Sequence, residues 1–157
     1  MKKQKICAFS GHRKIESTEE FQTKVKIEIL KLIDNGVTVF LNGGALGFDM
    51  LCAKTVIELR EIFKDIKLHL LLPCRDQSDR WSSFNRRMYE EILEKSNGIY
   101  YVSEKYEPGC MQKRNRILVD NCDCLLTYLA KSSGGTYYTV KYAEKTGKQI
   151  ININEQK

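Results

Sequence analysis

Six short runs rich in β-branched, aromatic and other apolar residues recur along the chain, each separated from the next by a longer segment of helical period. They are KICAFS (5–10), VTVFLN (37–42), KLHLLL (67–72), GIYYVS (98–103), CLLTYL (124–129) and QIININ (149–154). This alternation leaves few folds open. Strands joined by helical segments lie parallel in one sheet, and the helices cover both of its faces. A length of 157 residues suits one domain, spanning 1–157, large enough to bury its core without a metal or disulfide staple. The expected strand order is 3-2-1-4-5, with the sixth strand at an edge.

The helices have their own punctuation. The first starts at the capping box Ser17-x-x-Glu20, carries Phe21, Val25, Ile29 or Leu30, and Ile33 on one stripe, and stops at Asn35-Gly36. Others are expected over about 47–64, 82–95, 111–121 and 135–146, with Gly147 as the last stop. No repeat, linker or low-complexity stretch divides the chain.

Composition narrows the setting. The amino terminus, MKKQKICAFSGHRK, is basic but too short in apolar residues for a signal peptide, and no apolar run approaches the roughly 20 residues of a membrane span. A cytoplasmic location with no membrane partner is expected. Six cysteines are scattered, and the one close pair, Cys122-x-Cys124, is poor zinc spacing, so reduced thiols and no metal are expected. The net charge of +6 suits an anionic partner, although 18 of the 26 basic residues are lysines spread along helices, as on a solvated surface.

Chemically suggestive residues gather just after the strands, where ligands bind in a parallel sheet. The strand ends read SGHRK, NGGALGFD, PCRDQSDRW, SEKYEPGC and AKSSGGT. In GGALGFD, Gly43, Gly44 and Gly47 leave a strand and open a helix, so their amides suit a phosphate cradle. The spacing is neither the dinucleotide fingerprint nor a P-loop. A second turn of this kind, Ser133, Gly134, Gly135 and Thr136, follows the fifth run. In CMQKRNRILVDNCD, Met111, Leu118 and Cys122 make the buried stripe, leaving Lys113, Arg114 and Arg116 to project elsewhere; Arg116 pairs with Asp120, Arg114 is the arginine expected to contact a ligand, and Asn115 joins it in the candidate binding set. Gly11, His12, Arg13 and Arg75 complete the candidate binding set. His12 is a candidate acid or base, or holds a neighbouring loop; His69, within its strand, reads as structural. Trp81 reads as a base-stacking ring or a core anchor.

With FSGHRK, GGALGFDMLCA, LLPCRDQSDRW, KRNRILVDNCDCLL and GGTYYTVKYAEKTGK in this order, the chain resembles the SLOG superfamily, most closely its small stand-alone YpsA-like branch. The resemblance implies a Rossmann-like three-layer αβα domain with a mainly parallel sheet of about six strands, and a homodimer as the expected assembly. Similarity to the superfamily's LOG phosphoribohydrolases implies hydrolysis of the N-glycosidic bond of a nucleoside monophosphate, with Arg114 matching their arginine. The pattern departs at the last turn, where Ser132 and Ser133 replace leading glycines and Thr139 stands in the place of the catalytic glutamate. Asp49 is then the candidate replacement carboxylate, near enough to reach a ribose bound at the glycine turn, or else a residue that only accepts from backbone amides at its own helix start. Similarity to the DNA-processing protein DprA, carried by GGALGFD and by Arg114 to Ile117, implies single-stranded DNA. The remaining superfamily theme implies a nucleotide-type small molecule, ADP-ribose-like or a nucleoside phosphate, bound for sensing, sequestration or regulation. Phe48, Trp81, Tyr106 and Tyr137 are the aromatic residues expected to serve it, with no separate cofactor.

Overall fold

The structure, a computed structural model, describes residues 4–155. The basic residues at positions 2 and 3 of the expected amino terminus lie outside the described residues. All six apolar runs form strands: β1 (Lys5–Gly11), β2 (Val37–Asn42), β3 (Lys67–Cys74), β4 (Gly98–Ser103), β5 (Cys124–Tyr128) and β6 (Gln149–Asn152). Between them lie α1 (Glu19–Asp34), α2 (Phe48–Arg60), α3 (Ser83–Lys95), α4 (Cys110–Asp120) and α5 (Gly135–Lys145). Every strand pair is parallel. Helices α1, α2 and α3 pack as one layer and α4 with α5 as the other, giving three layers.

The strand order is β4-β3-β2-β1-β5-β6, not 3-2-1-4-5. The difference has a physical cause. A central parallel strand is covered on both faces and must be apolar throughout, whereas an edge strand tolerates exposure. In β5, Cys124 to Leu126 are wholly buried, while β4 leaves Ile99 and Tyr100 exposed. CLLTY therefore takes the place beside β1, and GIYYVS goes to the edge. The chain thus steps outward from β1 to β4, then returns through α4 to β5 on the other side of β1. The order reverses between β1 and β5, and a crevice opens at their carboxyl ends.

The core gathers the inward faces of these elements, with Phe9 of β1 stacked on Phe40 of β2 at 5.7 Å between ring centres. All six cysteines are buried free thiols. The cap of α1 is Thr18 rather than Ser17: its hydroxyl accepts from the Phe21 amide at 3.1 Å, and Ser17 accepts from the Gln22 side chain. No helix among the described residues is long and apolar enough to cross a membrane.

Candidate functional site

A cavity of about 320 Å³ occupies the crevice where the strand order reverses. Its walls come from four places: Phe9 to Arg13 at the end of β1, Ala45 and Asp49 around the start of α2, Met111, Gln112, Arg114 and Asn115 of α4, and Gly135 with Thr136 of α5. Because the strands are parallel, each helix begins at this rim with its first N–H groups pointing outward along its axis.

The two glycine turns look alike in sequence and differ in three dimensions. Gly43, Gly44 and Ala45 are buried. The Gly44 amide donates to Asn42 Oδ1 at 2.8 Å, the Ala45 amide to Asp49 Oδ2 at 3.3 Å, and the Phe48 amide to the His12 carbonyl at 3.1 Å. A Cβ on Gly47, where φ is +81°, would lie 2.2 Å from the Arg13 carbonyl oxygen. On Gly43 it would meet the Arg114 guanidinium at 2.7 Å, and on Gly11 the Phe48 ring at 2.4 Å. These glycines allow the segment after β1 and the loop after β2 to pack together. Gly43, Gly44 and Gly47 are not among the residues that line this cavity; the loop packs against the segment after β1 and holds Asp49 at the cavity wall.

The turn after β5 is open instead. Gly134 and Gly135 are exposed, and a Cβ on either would meet nothing within 4 Å. Gly134 has φ +94°, which explains its glycine, but Gly135 has no positive φ and no crowding neighbour. Among the described residues, no protein oxygen accepts from the amides of Gly135 and Thr136, or from those of Met111 and Gln112 at the start of α4. Neither helix has a capping side chain, because both N-caps are glycines, Gly109 and Gly134. The two donor sets on the cavity therefore belong to α4 and α5. Each exposed helix end contributes only about 0.3 to 1 kcal/mol toward an anion, so their convergence is what matters.

Two buried ions complete the wall. Arg114 is 4 % exposed and lies on the buried stripe with Cys110 and Leu118, contrary to its expected outward placement. Its Nη1 donates to the Gly43 carbonyl at 2.5 Å and its Nε to Asn115 Oδ1 at 2.7 Å, leaving Nη2 without a protein acceptor among the described residues. Burial lowers its pKa, against the opposing pull of Asp49. Asp49 is 5 % exposed; one carboxylate oxygen meets the Ala45 amide and the other, Oδ1, has no hydrogen-bond partner among the described residues. Burial pushes its carboxyl up to about 6, in spite of Arg114, the Ala45 amide and Arg13. A carboxyl poised there with an unused oxygen can accept a ligand hydroxyl or exchange a proton.

His12 lines the cavity, but its Nε2 accepts the Ala130 amide at 2.8 Å, pinning the end of β1 to the exit of β5. The proton of the neutral ring then resides on Nδ1. Burial first, then Lys131, lowers its pKa. Arg13 is exposed and reaches the Met111 sulfur at 3.3 Å.

Other expected residues stand elsewhere. Arg75 is outside the cavity, paired with Glu104 at 2.7 Å and lying 4.2 Å above the centre of the Tyr101 ring. The strand order explains this, since β3 and β4 lie on the far side of β2. Ser133 is exposed and does not line the cavity. Phe48 is wholly buried and offers no face to a base, and Trp81, partly buried, packs edge-on to Tyr89 against the core away from the cavity lining. Arg116 does not pair with Asp120, whose carboxylate accepts the Tyr142 hydroxyl at 2.6 Å. Thr139, in the place of the glutamate, is buried and turns its hydroxyl back onto the Gly135 carbonyl at 2.8 Å. Tyr138, which lies off the buried stripe of α5, was the aromatic residue the pattern could have exposed as a surface ring; it is 66 % exposed.

Both sequence relatives and solved structures are similar to this chain. A UPF0398 protein of Bacillus pumilus is 32 % identical over 152 residues, covering 89 % of this chain and 82 % of its own length. Two solved structures share the fold: DNA processing protein A of Helicobacter pylori, described for its single-stranded DNA binding mode, with a TM-score of 0.68 at 23 % identity, and DNA processing protein A of Streptococcus pneumoniae, with 0.66 at 18 %. They cover 93 % and 94 % of this chain, which spans 63 % and 49 % of theirs. Residues 2–155, essentially the whole sheet and its helices, match the YspA SLOG family, and to that family this chain belongs.

Proposed function

We propose that the cavity between β1 and β5 binds a nucleotide-type small molecule, a nucleoside phosphate or an ADP-ribose-like ligand, and that the protein acts through that binding as a sensor, sequestering protein or regulator. The phosphate sits between the amino ends of α4 and α5, facing the amides of Met111, Gln112, Gly135 and Thr136. Arg114, fixed by Gly43 and Asn115, supplies the buried positive charge. The unpaired oxygen of Asp49 accepts a hydroxyl of the attached sugar. The observation that carries this reading is Gly135: it has no conformational or packing need to be glycine, yet it borders the cavity beside unpartnered amides. A ligand that approaches the backbone closely needs that absence of a side chain.

The raised carboxyl of Asp49 favours a second reading, hydrolysis at the anomeric carbon of the same ligand. A carboxyl that titrates near neutral pH can protonate a leaving group or stabilise positive charge at that carbon. The inward-turned hydroxyl of Thr139 cannot replace it. Single-stranded DNA, bound by the Helicobacter pylori protein, is the macromolecular alternative on the same rim.

One panel separates these. Calorimetric titration with AMP, GMP and ADP-ribose is expected to give saturable binding. Chromatography of the same mixtures tests for free base, whose release would move the reading to hydrolysis. A single-stranded oligonucleotide that binds more tightly than every nucleotide, with a steep loss on adding salt, would replace it with DNA binding.

A further inference from the structure

The cavity at the strand reversal does not end at the helix termini. A second cavity of about 390 Å³ continues between α4 and α5, and Gln112, Asn115 and Gly135 lie on the walls of both. The two differ in character. The first holds Asp49, with its buried and partnerless Oδ1, and Arg114. The second is bordered by Tyr138, Tyr142 and Arg116.

Each of those three side chains is available in a particular way. Tyr138 is exposed, touching its neighbour Tyr137 edge-on and leaving ring surface uncovered. Tyr142 is held by its bond to Asp120, which fixes the ring as a wall. That bond also engages the carboxylate four residues beyond Arg116, so the Arg116 guanidinium forms no ion pair among the described residues. An aromatic ring, a guanidinium plane and the side-chain amides of Gln112 and Asn115 are the groups that stack a flat heteroaromatic ring and hydrogen-bond its edge.

Building on the nucleotide reading, we infer that the groove between α4 and α5 is the base subsite. The sugar and phosphate occupy the first cavity, the chain of the ligand passes over Gly135, and the base lies against Tyr138 beside Arg116. Gly135 is the threshold: a ligand spanning both cavities crosses it, and there a Cβ would meet no protein atom within 4 Å. The ligand recognised is therefore bipartite, with a base as well as a phosphorylated sugar, and ribose phosphate alone fills only half of the site.

The test compares ribose 5-phosphate with the tightest binder among AMP, GMP and ADP-ribose on the wild-type chain, Tyr138→Ala and Tyr138→Phe. The expected result is a loss of at least about fivefold in nucleotide affinity for Tyr138→Ala, retention in Tyr138→Phe, and ribose 5-phosphate affinity unchanged throughout. Because Tyr138 is exposed, the thermal midpoint is expected to stay in place. Nucleotide binding unchanged in Tyr138→Ala overturns the base subsite and leaves the nucleotide reading standing. Equal losses for both ligands also overturn it, since the ring would then act on the sugar-phosphate end. No binding of any nucleotide to the wild-type chain overturns both.

Discussion

The Arg114 guanidinium donates to the Gly43 carbonyl at 2.5 Å, tying α4 to the loop after β2 from a position 71 residues further along the chain. A Cβ on Gly43 would collide with that guanidinium, so glycine and arginine form one unit. Arg114→Ala is expected to cost about 3 kcal/mol, because it leaves Asp49 as a buried charge without its countercharge and opens a void. Urea unfolding measures it. A loss below about 1 kcal/mol would mean that Arg114 serves the ligand alone.

Substitution at the two glycine turns should separate scaffold from site. At Gly44, φ is +67° and a Cβ would lie 2.6 Å from Leu72 Cδ2, so Gly44→Asp strains the backbone, crowds the core and buries a charge. A destabilisation of about 3 kcal/mol or more is expected, seen as a fallen thermal midpoint. A Gly44→Asp chain melting with the wild type would contradict the scaffold role of this loop.

Asp49 imposes a pH dependence of definite sign. Its folded pKa of about 6 lies above the ordinary 3.8, so between these values the folded chain holds more protons than the unfolded one. Stability from the protonated carboxyl is full below about 3.8 and is lost as pH rises through about 6. Asp49→Asn mimics the protonated form. Its stability relative to wild type is expected to grow from near zero at pH 4 to roughly 2–3 kcal/mol at pH 8, read from paired denaturant titrations. A difference independent of pH would show that the carboxyl keeps its ordinary pKa.

His12 works in the opposite direction. Its lowered pKa means that the folded chain binds fewer protons than the unfolded one, so its contribution is present above the ordinary 6.5 and is lost as pH falls through the folded value. Protonation places N–H on Nε2 against the Ala130 amide and breaks the pin between β1 and β5. Nitrogen chemical shifts should report a neutral ring with the proton on Nδ1, titrating below 6.5. A ring that titrates above 6.5 would remove the pin.

Much of this architecture is legible in the residues. Six apolar runs with helical spacers point to six parallel strands with helices laid over both faces of the sheet, and the structure has them. Which strand stands beside β1 is less visible, because CLLTY and GIYYVS differ only in how evenly they are apolar, and that difference acts through the helices laid over them. At Arg114 the sequence points two ways, since charge argues for the surface while its spacing from Cys110 and Leu118 argues for the buried stripe; the stripe prevails because Gly43 and Asn115 accept its donors. The glycine turns could not be ranked from composition. What separates Gly47 from Gly135 is the Arg13 carbonyl crossing over one and empty space over the other, a long-range contact with no local signature.

The central claim is that a nucleotide's phosphate sits at the amino end of α5, and Gly135→Asp tests it most directly. The new Cβ meets no atom within 4 Å, φ is ordinary, and a carboxylate suits a helix amino end, so the fold is expected to be unharmed or slightly stabilised. Calorimetric titration of wild-type and Gly135→Asp chains with AMP, GMP and ADP-ribose should show binding in the first and none in the second, at matched thermal midpoints. Equal affinity in the two chains would contradict the account.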